Sequence, residues 1–128
     1  MADFEEFNKT HKAETFKSVL TIGMEVLKAL ILINGGAAAG MVATLDKLRP
    51  VVSATALQGA MVCFVLGLIA AVLSGCGGYF TQYSMHESNM GRQPAVPYHR
   101  FRKATIALTF LSLGLFACGA LTAAFGLK

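Results

Sequence analysis

The sequence predicts an all-α integral membrane protein with three transmembrane helices and an N-terminal amphipathic, cytoplasmic helical extension. Two observations predict it. The first is where the charges lie. Only 14% of the 128 residues are Asp, Glu, Lys or Arg, and none falls between Lys28 and Asp46, between Arg49 and Glu87, or between Lys103 and Lys128. A soluble helix turns a polar face to water every turn or so, and these three stretches have none. The second is composition: 55% of the residues are apolar and the mean hydropathy is +0.58, whereas a soluble domain carries roughly 25% charged residues. The length is that of one domain.

The elements follow in order. Residues 1–18 open an N-terminal helix with charges of both signs and no proline. Phe16, Val19, Leu20, Gly23, Val26 and Leu27 recur at helical spacing, so the helix is expected to start outside the hydrocarbon, lie at the interface and run into the first span. Phe4 and Phe7, one turn apart, would anchor it to lipid headgroups or to a partner protein. The opening residues are acidic where a cleavable signal is basic, so the first span is expected to direct insertion itself.

That span covers residues 19–45. Its charge-free part, Ala29–Leu45, is 17 residues, about 26 Å of helix, just short of the ~30 Å hydrocarbon layer. It must borrow upstream turns, which brings Glu25 and Lys28 to the membrane edge, three residues apart on one face and able to pair or snorkel. Asp46-Lys47-Leu48-Arg49-Pro50 closes it as a polar turn. The second span, 51–80, is longer than a bilayer needs and should tilt or continue beyond it. Residues 81–103 form a polar cytoplasmic loop in which Pro94 and Pro97 argue against one continuous helix. The third span is 104–127.

Orientation follows from the basic residues. Lys9, Lys12, Lys17 and Lys28 share a side with Arg92, Arg100, Arg102 and Lys103, eight in all; Lys47, Arg49 and Lys128, three in all, lie opposite. The positive-inside rule places the N-terminus in the cytoplasm and the C-terminus outside. Tyr79, Phe80, Tyr83 and Tyr98 would mark the cytoplasmic boundary as an aromatic belt.

Small residues recur within the spans. Thr55, Gly59, Cys63, Gly67, Ala71 and Gly75 stand at every fourth position of the second, as one expected packing face; Gly36, Gly40 and Thr44 do so in the first, and Gly114, Cys118, Thr122 and Gly126 in the third. Lipid gives helices no hydrophobic reason to associate, so they meet where small side chains let backbones approach. Three such faces exceed what closing one small bundle requires, and self-association is the inference. Asn34, near the middle of the first span, is the polar residue to explain. It would either line a pore in an oligomer or hydrogen-bond between helices of one protomer, with Gln58 as a partner. Ser53, Thr55 and Ser112 are weaker polar candidates.

Other chemistries are disfavoured. The basic residues flank apolar runs and form no stripe with interleaved aromatics, so no nucleic-acid partner is expected. His11, His86 and His99 have no second ligand at metal spacing, and no cofactor is expected. Gly35 and Gly40 have P-loop spacing, but Met41-Val42 replaces the Lys-Ser/Thr pair. Gly75-Cys76-Gly77-Gly78 lacks a preceding strand and is read as packing or a kink. Arg92 and His99 have a spacing seen in some RNA-cleaving helical domains, but the two prolines break the scaffold. Cys63, Cys76 and Cys118 are odd in number, contain no CxxC and are read as soft packing residues. No acid–base pair or triad can be assembled within the spans, so an enzyme is the least favoured class.

The stretch Leu27-Lys28-Ala29-Leu30-Ile31-Leu32-Ile33-Asn34-Gly35-Gly36-Ala37-Ala38, carried by its Asn-Gly-Gly-Ala-Ala core, resembles a segment of small uncharacterised bacterial three-helix inner-membrane proteins, as does Gly78-Tyr79-Phe80-Thr81-Gln82. The resemblance implies a bacterial inner (cytoplasmic) membrane and a three-span layout, and brings no activity with it. The resulting expectation is an oligomeric membrane protein that forms a pore or perturbs the bilayer, for example as a stress or anti-phage effector. An N-terminal helix or 81–103 loop that meets a partner protein would couple it to a signal. The alternatives are an accessory or scaffold subunit of a larger membrane complex, and a phage holin-like protein. The last fits less well, because three-span holins typically place the N-terminus outside and end in a charged cytoplasmic tail.

Overall fold

A computed structural model describes residues 2–92 and 97–127, with the side chains of residues 2–6, 8, 9, 12 and 13 left aside. Pro94, Lys128 and the side chains of Phe4, Lys9 and Lys12 therefore lie outside the described residues. The described chain is helical: α1 (Ala2–Ala43), the short α2 (Leu45–Leu48), α3 (Ala54–Asn89) and α4 (Tyr98–Phe125). No named strand occurs among the described residues; a single bridge joins Val52 to Leu127, and beside it Ser53 N donates to Gly126 O at 2.9 Å.

Three helices are long and apolar enough to cross a membrane, with candidate spans in Glu14–Ala43, Ala54–Asn89 and Tyr98–Phe125. At ~1.5 Å per residue, α1, α3 and α4 extend about 63, 54 and 42 Å, against a hydrocarbon layer of ~30 Å.

The ends have local causes. Thr44 leaves the α1 conformation and its hydroxyl donates to Gly40 O at 2.7 Å. Pro50 follows one turn later. Ser53 caps α3, its Oγ accepting from Ala56 N at 3.3 Å. At the far end Gly91 adopts φ +74°, a left-handed backbone that favours glycine, and the amides of Met90, Gly91 and Arg92 return to carbonyls of His86, Glu87 and Ser88. This is a glycine-terminated helix end.

Both neighbouring helices reach into the expected polar loop. The polar segment 81–103 is largely helical: α3 continues to Asn89 and α4 begins at Tyr98, immediately after Pro97. Residues 81–89 are polar but contain neither glycine nor proline, so nothing breaks the helix. A fall in hydropathy marks a change of surroundings and does not mark a helix end. Between the two helices, the described residues Met90, Gly91, Arg92 and Pro97 lie outside helix.

α3 runs antiparallel to both neighbours. Along α4, Phe80 stacks on Phe101 (centroids 5.6 Å), Ser74 reaches Thr105, and Cys63 meets Cys118. Along α1, Gly75 faces Leu27 and Gly67 faces Asn34. The buried set is small: Ala60, Ala71, Asn34 and Ser112 have no exposure, while Leu32, Phe110 and Phe125 are 73%, 69% and 86% exposed. Among the described residues Phe64, tilted against Phe116, is the one large ring that is buried. Threonines on the outer surface add little polarity, since the hydroxyls of Thr21, Thr44 and Thr122 fold back onto the carbonyl four residues earlier.

Candidate functional site

The polar centre of the bundle is Asn34, fully buried where the three long helices meet. Its Nδ2 donates to Leu30 O at 3.1 Å and across to Ser112 Oγ on α4 at 3.2 Å. Ser112 Oγ in turn donates to Gly67 O on α3 at 2.8 Å. One amide and one hydroxyl thus bridge all three helices. Asn34 Oδ1 takes no N–H or O–H donor and is pressed against Gly67, so a Cβ there would collide with it. The Gly67 hydrogen in that position is directed at the oxygen, a weak Cα–H···O contact of the kind that recurs between close helices. The amide orientation follows from this network: both neighbouring acceptors need the NH₂.

Asn34 is therefore an interhelical residue whose bond partner is Ser112. Gln58, the expected partner, is exposed and lines a groove of about 400 Å³ with Met41, Leu45, Arg49 and Met61. A second polar knot lies further along the α3–α4 seam. Ser74 Oγ donates to Thr105 O at 3.0 Å and lies 2.8 Å from Thr109 Oγ1. Sequence reasoning misses this knot because each hydroxyl is ordinary when taken alone.

The small-residue stripes divide into inner and outer parts. On α3, Gly67 and Ala71 are buried, Gly59, Cys63 and Gly75 half-buried, and Thr55 exposed. The expected continuous face of six is thus corrected. At about 100° per residue, every fourth position advances about 40° round the helix, so a long run of them winds from outside to inside and out again. The observed seam on α4 alternates steps of four and three instead: Thr105, Thr109, Ser112, Phe116, Gly119, Ala123 and Gly126. This is the 3.5-residue period that keeps a contact line facing its partner. It includes Gly119, absent from the expected stripe, where a Cβ would stand 2.8 Å from Phe64 Cε1 and 3.1 Å from Cys63 Cβ.

The other glycines fall on either side of this division. A Cβ at Gly59 would touch Thr122 at 3.3 Å, one at Gly75 would meet Leu27 at 2.9 Å, and one at Gly126 would collide with Ala56. Gly36, Gly40 and Gly114 have nothing within 4 Å and face outward. The half-buried Gly77 packs on Thr105, and α3 passes through Gly75-Cys76-Gly77-Gly78 unbroken, so this stretch serves packing.

Of the charges expected at the membrane edge, Lys28 Nζ lies 2.8 Å from Glu25 Oε1, with both side chains about two-thirds exposed (66% and 65%). Arg92 is held 3.4 Å from Glu87, and His99 is an exposed residue beside Tyr98. No group of three or more metal-ligating side chains occurs among the described residues.

The fold and its buried seam define an all-helical chain with three helices long and apolar enough to span a membrane. No family model matches it, and no curated protein or solved structure shows significant similarity to it.

Proposed function

We propose that this protein is a three-span membrane protein that self-associates in the bilayer and acts there as an oligomer, opening or perturbing the membrane. What supports the membrane setting is the apolar outer surface: large hydrophobic side chains such as Leu32, Phe110 and Phe125 are exposed along the three long helices, while only a few large ones, among them Leu30, Leu57 and Phe64, are buried. Water would penalise such a surface, and lipid does not. What supports assembly is the outward placement of Gly36, Gly40 and Gly114, each with open space around it. A surface facing only lipid has no use for glycine, whereas a close helix contact has.

The carrying observation is that open glycine face, and its test is the oligomeric state. In mild detergent, the wild-type chain should run as a defined homo-oligomer, and Gly36→Leu with Gly40→Leu should return it to monomer with its helical content intact. A wild-type chain that is monomeric across detergents and in nanodiscs would refute the reading. The pore component is tested separately in liposomes. Because the Asn34 amide is taken up inside the chain, the outward-facing Gln58 is the better polar candidate. Gln58→Leu should reduce ion leakage, and vesicles that stay tight with wild-type protein would remove the pore from the proposal.

The engaged Asn34 also favours the second reading, an accessory or scaffold subunit that uses the same glycine faces against a larger complex. Extraction from the native host separates the two: a homo-oligomer alone supports the first, and stoichiometric larger subunits support the second.

A further inference from the structure

Cys63 on α3 and Cys118 on α4 are both free thiols, and their sulfurs are 3.9 Å apart, Cys63 Sγ–H directed at Cys118 Sγ. They sit 55 residues apart in sequence, and the antiparallel register of α3 on α4 brings them into contact. A disulfide needs sulfurs at about 2.05 Å and Cβ atoms at about 3.5–4.5 Å. The backbones are close at this level, since Gly59 and Gly119 bracket the pair and a Cβ at Gly119 would stand 3.1 Å from Cys63 Cβ.

The pair is also reachable. Cys118 is exposed and lines a shallow groove of about 760 Å³ between α3 and α4, with Thr55, Gly114, Ala117, Leu121 and Thr122 among its walls. Cys63 is nine residues into α3, about 14 Å along the helix axis, which on the membrane-spanning reading is near mid-bilayer. Charged aqueous thiol reagents do not reach that depth, and lipid-soluble oxidants do. The third cysteine, Cys76, is a further ~20 Å along α3 and has no thiol neighbour among the described residues.

We infer that Cys63 and Cys118 form a redox-active dithiol that a membrane-soluble quinone converts to a disulfide, clamping α3 to α4 beside the open Gly114 face. The step balances as two thiols and one quinone giving one disulfide and one hydroquinone. Two S–H bonds break, one S–S bond forms, and two electrons and two protons pass to the quinone oxygens. Reduction of the disulfide by a hydroquinone of lower potential, or by a membrane-permeant dithiol, reverses it. The dithiol does not require oligomerisation, and membrane insertion matters only for the class of oxidant.

The test uses the full-length protein in proteoliposomes, incubated with a short-chain benzoquinone or, separately, with oxidised glutathione. The products are then denatured and titrated with a maleimide of high mass. With quinone, the three reactive thiols should fall to one, the intact monomer should lose the mass of two hydrogens, and a peptide joining the Cys63 and Cys118 regions should appear. Cys76→Ala should leave this unchanged, and Cys63→Ala or Cys118→Ala should each abolish it. Glutathione disulfide should oxidise the pair at least tenfold more slowly. Three titratable thiols after quinone, loss of thiols only by quinone adduct formation, or a dimer linked through Cys118 would each overturn the dithiol. Equal rates with both oxidants would overturn the quinone assignment while leaving the oligomer test above unaffected.

Discussion

Replacing Gly67 by alanine tests the central claim about the interior, that α1 and α3 are spaced to fit the Asn34 amide. The added methyl would collide with Asn34 Oδ1 and lie 2.8 Å from Cγ and 3.2 Å from Nδ2. The amide cannot retreat without giving up Ser112, because its Nδ2 already spans to that hydroxyl at 3.2 Å. Forcing an extra methyl into a filled core costs roughly 1–3 kcal/mol. A lost interhelical hydrogen bond in a membrane protein adds about 0.6 kcal/mol, up to ~1.7. Alanine recovers at most about 1 kcal/mol of helix propensity over glycine. The net expectation is a destabilisation of about 0.5–4 kcal/mol, measured as a shift in the unfolding midpoint on titrating detergent-solubilised protein with a denaturing detergent.

The discriminating measurement is the double-mutant cycle with Asn34→Ala. Removing the amide empties the space the new methyl needs, so Gly67→Ala should cost close to nothing, or stabilise slightly, in that background. The coupling between the sites should reach about 1 kcal/mol or more, as expected of residues in direct contact. If Gly67→Ala costs as much in the Asn34→Ala background as in the wild-type chain, the two residues are not packed against each other and the three-helix junction is wrong.

The remaining predictions concern other contacts. Ser112→Ala removes the hydroxyl that links Asn34 to Gly67 O and should lower stability by about 1–2 kcal/mol, with helical content unchanged by circular dichroism. Gly119→Ala should destabilise by about 1–3 kcal/mol in the same denaturation assay, because the methyl meets the Phe64 ring and the Cys63 Cβ. Gly114→Ala, in open space, should not destabilise the monomer and should raise its stability by up to about 1 kcal/mol through helix propensity. Lys28→Gln breaks an ion pair whose partners are both largely exposed, so its effect on stability should stay below about 0.5 kcal/mol and vanish in high salt.

The number and approximate position of the three long helices are legible because three charge-free stretches separated by polar turns are a one-dimensional signal. Rotation about each helix axis is not, and the site depends on it. Asn34 is evident as a polar residue needing a partner. That the partner is Ser112 and not Gln58 is decided by which way α4 turns and where it starts, and the polar residues 98–103 look like loop in the sequence. The pairing of Cys63 with Cys118 is hidden for the same reason, since it requires the register of an antiparallel helix pair. With that register the thiol contact follows, and so do Gly59 against Thr122 and Phe80 against Phe101. The Glu25–Lys28 pair is legible because residues three apart on one helix are neighbours whatever the rotation.

The same rotation gives the glycines two separate roles. Those inside the bundle, Gly67 on α3 with Gly119 and Gly126 on the 3.5-residue seam that faces it, are consumed in closing the chain on itself, and a Cβ at any of them meets a neighbouring side chain. Gly36, Gly40 and Gly114 stand off that seam and meet nothing. Helix propensity disfavours glycine by about 1 kcal/mol at each helical position, so an outward glycine in a lone bundle is a standing loss without a compensating contact. A second helix seated on it would recover that loss through close backbone packing. The two sets therefore separate by experiment: substitutions inside the bundle should destabilise the monomer and leave association geometry alone, and substitutions outside it should weaken association without destabilising the monomer.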